Sequence, residues 1–328
     1  MKKLNDLIIV MRKEIRRNGY SRSTEKNYVS WVVKFFRFSG QIESNDDIKE
    51  KVVAFLNNLA TRQRVAESTQ NQALCALVYF FRRVVKQDVS DLDGLKRAKR
   101  YAYLPVVMSR EEAGRVIGEL SGVTRLMVLV MYGTGMRVGE VVRMRVGDFD
   151  FGNDLIYVRK AKGKKDRTTL LPQSLKVELQ QHLAKVRRLW ERDSAAGCGE
   201  TKLPVGVKLK YRHDASQLRW RFVFPSQNMV PDRKTGQLFR WHVSASKIQK
   251  AVKAAARRAN IGKPITPHTF RHTFATQLLQ SGTDIRTVQE LLGHKNIKQT
   301  QRYTHVMNQK RFIASPVDAI MEPAAAYF

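Results

Sequence analysis

The segment TPHTFRHTFATQLLQSG, residues 266–282, carries its own start and stop signals for a helix. Thr266 suits the N-cap, Pro267 the first helical position, and Gly282 the left-handed stop. Between them Phe270, Phe274 and Leu278 recur every fourth residue and make the apolar stripe that docks the helix. His268 and Arg271 fall in the first turns, three apart, on one face. A helix start offers free backbone N–H groups and the positive end of the dipole, so it already favours an anion. A guanidinium fork and an imidazole added there suit a phosphate. The competing reading is a surface helix with a basic first turn. Periodicity does not separate His268 from His272, which projects nearby.

Upstream lies YGTGMRVGEVVRMRVGD, 132–148. Helical spacing puts Arg137 in line with Val141 and Met144, a charge within an apolar stripe. A partly buried Arg needs an anionic partner, because an unpaired one costs about 3–5 kcal/mol. Glu140 is the local candidate and a phosphate held bidentately is the functional one. Downstream, TVQELLGHKNIKQTQRYTHV, 287–306, has Gly293 ending one helix, His294 next to it and Tyr303 on the following helix. Two helices around a Gly turn also fit a DNA-reading helix-turn-helix. A phenol with a reference pKa of about 10 needs cations and a base to act as a nucleophile.

The rest of this half reads as α+β. Ser109 and Glu112 have capping-box spacing. A helix over 122–132 stops at Gly133, and another starts near Gly135. Short strands are expected at 155–159 and 167–171, with the basic turn AKGKKD between them carrying Lys162. A third strand is expected at 221–224. Helices follow at 243–259, 284–292 and 297–305.

Residues 4–90 read as helices throughout, with Ser21 and Ser68 at N-cap positions and Cys75 beside an apolar stripe as a core residue. Residues 91–108 are basic, contain Gly94 and Pro105, and lack a long stripe, so they read as a linker. Its Lys96, Arg97, Lys99 and Arg100 suit either a strap along phosphates or a solvated basic segment. The organisation expected is a mainly α protein with a small antiparallel sheet: 1–90 a helical domain, 91–108 a linker, and 109–328 a second domain.

Composition narrows the partner. The 328 residues include 60 Lys and Arg against 29 Asp and Glu, a formal net charge of +31. So basic a chain points to nucleic acid ahead of an anionic membrane, and away from small-molecule metabolism. Two cysteines, Cys75 and Cys198, argue against a disulfide-dense scaffold and a multi-cysteine zinc site. The apolar run before Arg12 is too short for a signal-peptide core, and no run reaches the roughly 18 residues of a membrane span. A soluble intracellular protein is expected, with no metal or cofactor.

Taken in order, GTGMRVGE, the Lys in a β-turn, HTFRHTFAT and LLGHKNIKQTQRYTH resemble the tyrosine recombinases over nearly the whole chain. The resemblance implies a catalytic set of Arg137, Lys162, His268, Arg271, His294 and Tyr303, with Tyr303 the nucleophile. It departs from the family at Gly139, where Ser is commoner. It also implies that the helical domain 1–90 binds DNA and that a tetramer forms on two DNA sites, and tail 307–328 docks either on a neighbour or on its own core. Segment 191–226 is similar to the extra segment of integron integrases, which recombine gene-cassette sites folded as single-stranded hairpins as well as a duplex attachment site. Trp220, Trp241 and His242 are then the candidates to contact unstacked bases. Cys198 in this segment is read as incidental. Other recombinases acting on duplex DNA, a type IB topoisomerase-like enzyme and a non-catalytic regulator are the rival readings.

Overall fold

The computed structural model describes residues 2–40, 45–89, 92–98, 105–159, 166–203, 215–232 and 235–304. The chain divides into two compact units, Met1–Tyr103 and Leu104–Phe328. No helix among the described residues is long and apolar enough to cross a membrane.

The first unit is helical: α1 (Lys2–Arg17), α2 (Arg22–Ser39), α3 (Asn45–Thr61) and α4 (Glu67–Phe80), which runs on into a π-turn at Phe81–Val85. Its core is aromatic, with Phe35, Phe80 and Phe81 fully buried and meeting edge-to-face. Glu25, buried on α2, receives Arg12 and Arg16 of α1 at 2.8 Å and so ties the two helices together. Ser21 caps α2 by accepting from the Thr24 N–H at 3.1 Å. Ser68 is not a cap. The chain turns helical two residues earlier, at extended Ala66, and Ser68 lies inside α4. Cys75 is exposed rather than in the core, because Ala73, Ala76 and Leu77 occupy the buried face.

The start of the expected linker is pinned to this unit. Asn57 and Gln70 bond the backbone of Gly94, Lys96 and Ala98 at 2.7–3.2 Å. The Arg97 guanidinium reaches Asn71 at 2.9 Å. Lys99 and Arg100 lie outside the described residues.

The second unit opens with α5 (Arg110–Gly118) behind the Ser109–Glu112 capping box, which is formed in both directions at 2.8 and 3.1 Å. Next comes α6 (Gly122–Thr134), which passes the expected stop at Gly133 and ends at Gly135 (φ +63°). A Cβ at Gly135 would stand 2.4 Å from the Phe274 ring, so both backbone angle and space require glycine. α7 is a single turn, Val138–Val141. Strands β1 (Phe149–Asp150), β2 (Leu155–Val158) and β3 (Arg167–Leu170) form an antiparallel sheet in that order.

After α8 (Lys176–Ala195) the expected strand at 221–224 is only a bridge between Phe222 and Arg145. The strand itself begins at Pro225: β4 (Pro225–Pro231) pairs with β5 (Leu238–His242) as a hairpin that alternation did not reveal. Four helices follow among the described residues: α9 (Ala245–Arg258), α10 (Pro267–Gln280), α11 (Ile285–Leu292) and α12 (Lys298–Gln301). α12 is one turn, not the nine residues expected. Phe270, Met127, Met131, Val252 and Phe224 lie in one core, and α10 spans it while packing α11 on its far side.

Candidate active site

Arg271 sits in the second turn of α10 and is only 2 % exposed. Its Nη1 donates to Gly135 O and its Nη2 to Leu292 O, both at 2.6 Å. These carbonyls close the C-terminal ends of α6 and α11, the negative ends of two helix dipoles. Each terminal nitrogen keeps one N–H for another acceptor, as does Nε. Burial, then the nearby Arg137 charge, brings the Arg271 pKa down to about 10.

Arg137 is not in a helical stripe. It is the extended N-cap residue of α7, too early in the turn to share a face with Val141. Its backbone N–H and its Nη1 both donate to Glu140 at 2.9 Å. Glu140 also receives Arg167 Nη1 and Nη2 at 3.1 and 2.9 Å. Burial pushes the Glu140 carboxyl up, but the bonds and charge of Arg167, with those of Arg137, hold it at about 2. Arg167 Nε donates to Leu291 O at 3.0 Å, so this arginine also ties β3 to α11. Arg167 carried no signal in the sequence beyond being a charge at the start of a strand.

His294 follows Gly293, whose φ of +63° ends α11. Its Nδ1 lies 2.9 Å from Thr300 Oγ1. Burial first, then the charges of Arg271, Arg137 and Arg167, lower its pKa to about 3, so the ring is neutral. Tyr303 stacks near it, with ring centroids 6.2 Å apart and planes 17° apart. Tyr303 is 3 % exposed and packs with Phe274, Leu279, Val288 and Leu292. Its hydroxyl lies 2.9 Å from Nδ1 of His272. Burial raises its pKa, against the pull of Arg271, Arg302 and Arg137.

His268 is exposed, its ring centroid 6.3 Å from that of His272. Arg137, Arg271, His294 and Tyr303 therefore form one electrostatically coupled cluster, with His268 behind His272. Lys162 lies outside the described residues, between the paired ends Val158 and Arg167 of β2 and β3. Among the described residues the helix after the Gly293 turn is four residues long, too short to lie along a groove as a recognition helix. Among the described residues no group of three or more His, Cys, Asp or Glu could hold a metal ion.

Residues 107–310 match the model described as the phage integrase family, and residues 7–91 match the N-terminal SAM-like domain of phage integrases. The chain belongs to the phage integrase family. It is 41 % identical over 311 residues to an "Integrase/recombinase" of Escherichia coli, covering 94 % of this chain and 92 % of that one. It is 31 % identical over 287 residues to tyrosine recombinase XerC of Lactobacillus delbrueckii subsp. bulgaricus, covering 84 % of each. In fold it is similar to lambda integrase, solved as a dimer bound to a COC′ core site, with a TM-score of 0.62, 16 % identity, and 95 % of this chain and 99 % of that one covered. This phage integrase family member is a tyrosine-type site-specific recombinase.

Against that family frame, Gly139 has room for the commoner serine, since a Cβ there would meet only Arg143 Nη2, at 3.6 Å. Segment 191–226 of this recombinase is anchored by buried Asp193, whose carboxylate receives Arg221 at 2.7 Å and Arg240 at 2.8 Å through each of two nitrogens. Trp220 is interior, 5 % exposed, with Arg159 and Arg219 reaching its ring at 5.7 and 5.5 Å. It offers no open face for a base. Trp241 does, at 36 % exposed, standing on β5 with Phe222, Phe239 and His242 at 5.3, 5.6 and 5.0 Å. His242 is half-buried, with Nδ1 2.7 Å from Val243 O, and burial lowers its pKa.

Proposed function

We propose that this recombinase is of the integron integrase type. It cuts and rejoins DNA through a 3′-phosphotyrosyl intermediate, at folded single-stranded cassette hairpins and at a duplex attachment site. The observation that carries the hairpin reading is the aromatic group on β5. Trp241 is exposed beside Phe222, Phe239 and His242, on a hairpin that Asp193 clamps to α8 through Arg240. An unstacked base presents a π face, and an aromatic ring receives it with about 1–3 kcal/mol.

In this reading the Tyr303 oxygen attacks the scissile phosphorus. Arg137 and Arg271 hold the non-bridging oxygens and stabilise the charge that develops on them. His294 adds a hydrogen bond. Lys162 protonates the leaving 5′ oxygen, and His268 assists proton transfer at the tyrosine. A 5′ hydroxyl of a partner strand then reverses the step. The phosphotyrosyl bond conserves the energy of the broken one, so no nucleotide is required. Lys96, Arg97, Lys99 and Arg100 contact backbone phosphates, and the working assembly is a homotetramer on two sites.

A nicked suicide substrate, offered as duplex and as a folded bottom strand, tests the proposal. Covalent capture at Tyr303 on both forms is expected. Capture on duplex alone leaves a duplex recombinase, and relaxation of supercoiled plasmid without a paired site favours topoisomerase-like chemistry.

A further inference from the structure

The imidazole that touches the phenol is not the His of the His-x-x-Arg pair. His272 Nδ1 stands 2.9 Å from Tyr303 Oη, one helical turn beyond His268 on α10. We infer that His272 is a catalytic residue of this recombinase, the base that receives the Tyr303 proton as the phenol attacks phosphorus. The inference rests on the reading of Tyr303 as nucleophile.

A base must be unprotonated at working pH, and the surroundings of His272 ensure it. His268 and Arg271 face it from its own helix, and Arg302, Tyr303 and His294 face it from the chain packed against α10. All except the phenol are cations or nitrogen bases. With burial as the largest cause, they lower the His272 pKa to about 4, so its ring is neutral near pH 7. The phenol needs such a base, because burial holds its own pKa above the ordinary value. His268 stacks behind at 6.3 Å, on the exposed side, and is placed to pass the proton onward.

The step balances. The Tyr303 O–H bond breaks and its proton goes to His272 Nδ1. The phenolic oxygen bonds to phosphorus, the bond from phosphorus to the 5′ oxygen breaks, and that oxygen takes a proton from Lys162. On rejoining, a 5′ hydroxyl bonds to phosphorus and gives its proton to Lys162 as the phosphorus–tyrosine bond breaks, and the tyrosine oxygen takes a proton back through the same His268–His272 pair.

Single-turnover cleavage of a nicked suicide duplex by His272→Ala and His272→Asn tests this, with duplex binding measured alongside as a check on folding. Asn can keep a hydrogen-bond acceptor near the Nδ1 position but has no basicity. Both variants should bind normally and cleave on the order of 10²-fold more slowly at pH 7. Their deficit should shrink roughly tenfold per pH unit as free phenolate becomes available. Recovery in Asn alone would make His272 a positioning residue, and normal or faster cleavage by both would make the contact a resting latch. Either result overturns the inference. Should the variants fail to bind, the unaltered chain decides. Its bound-complex cleavage rate should be flat from about pH 6 to 8, and a tenfold rise per unit would show that His272, already neutral there, is not the base. Adducts persisting in Tyr303→Phe would instead overturn the nucleophile assignment itself.

Discussion

Glu140 receives both terminal nitrogens of Arg167, at 3.1 and 2.9 Å, from inside the catalytic unit. The same carboxylate holds Arg137, so one negative charge organises two guanidiniums beside a third, Arg271. Glu140→Gln should therefore both destabilise the fold and disorder Arg137. Breaking a buried pair of this kind costs about 3–5 kcal/mol, which a denaturant melt would register as a lower midpoint. Cleavage should fall as well, and an unchanged melt would contradict the clamp.

The same carboxylate sets an acid limit. Its folded pKa is about 2, against about 4.3 for an unfolded glutamate. The unfolded state binds the proton more readily, so the stabilisation is present above about pH 5 and is lost as pH falls from about 4 towards 2. Glu140→Gln should flatten that part of the stability profile. An equally steep acid transition in the variant would place the responsible group elsewhere.

Arg271→Lys should reduce strand cleavage by on the order of 10²–10³-fold. A lysine cannot reach Gly135 O and Leu292 O together while also pointing donors at a phosphate, because its charge is a point rather than a fork. Pre-steady-state cleavage of a suicide duplex measures this, and wild-type rates would remove Arg271 from the site.

Trp241→Ala should weaken binding to a folded single-strand site by about 1–3 kcal/mol per stacked base while sparing a plain duplex. Trp220→Ala makes the contrast. Its ring is interior, so the loss should appear as stability and affect both substrates alike. Equal effects of Trp241→Ala on the two DNA forms would remove the hairpin reading and leave the recombinase.

Duplex affinity should fall steeply with salt, since a chain of net charge +31 displaces counterions from the phosphates it meets. A fluorescence-anisotropy titration between low and moderate salt gives the slope. A flat response would count against a phosphate-dominated interface.

Helix α10 was legible because its signals are local: Thr266 and Pro267 open it, Gly282 (φ +88°) follows its end, and Phe270 and Phe274 face inward. Ser109 and Glu112 were legible for the same reason. Arg137 was misplaced because its helix has only one turn, too short for a stripe to mean anything. The β4–β5 hairpin was missed because its burial does not alternate, with partly covered residues next to one another. The choice between His268 and His272 was never in the periodicity. Both project near the same face, and only the packing of Tyr303 against α10 distinguishes them. Glu140 and Arg167 meet across 27 residues, a distance that no local pattern spans.

The two carbonyls that hold Arg271 come from positions 135 and 292, far apart in the chain. DNA strand cleavage is dangerous in a half-made recombinase. The fork is aimed only once the stretches around residues 135, 271 and 292 have docked, so in the proposed reaction an incompletely folded copy lacks the aimed guanidinium. Folding itself acts as the safety catch.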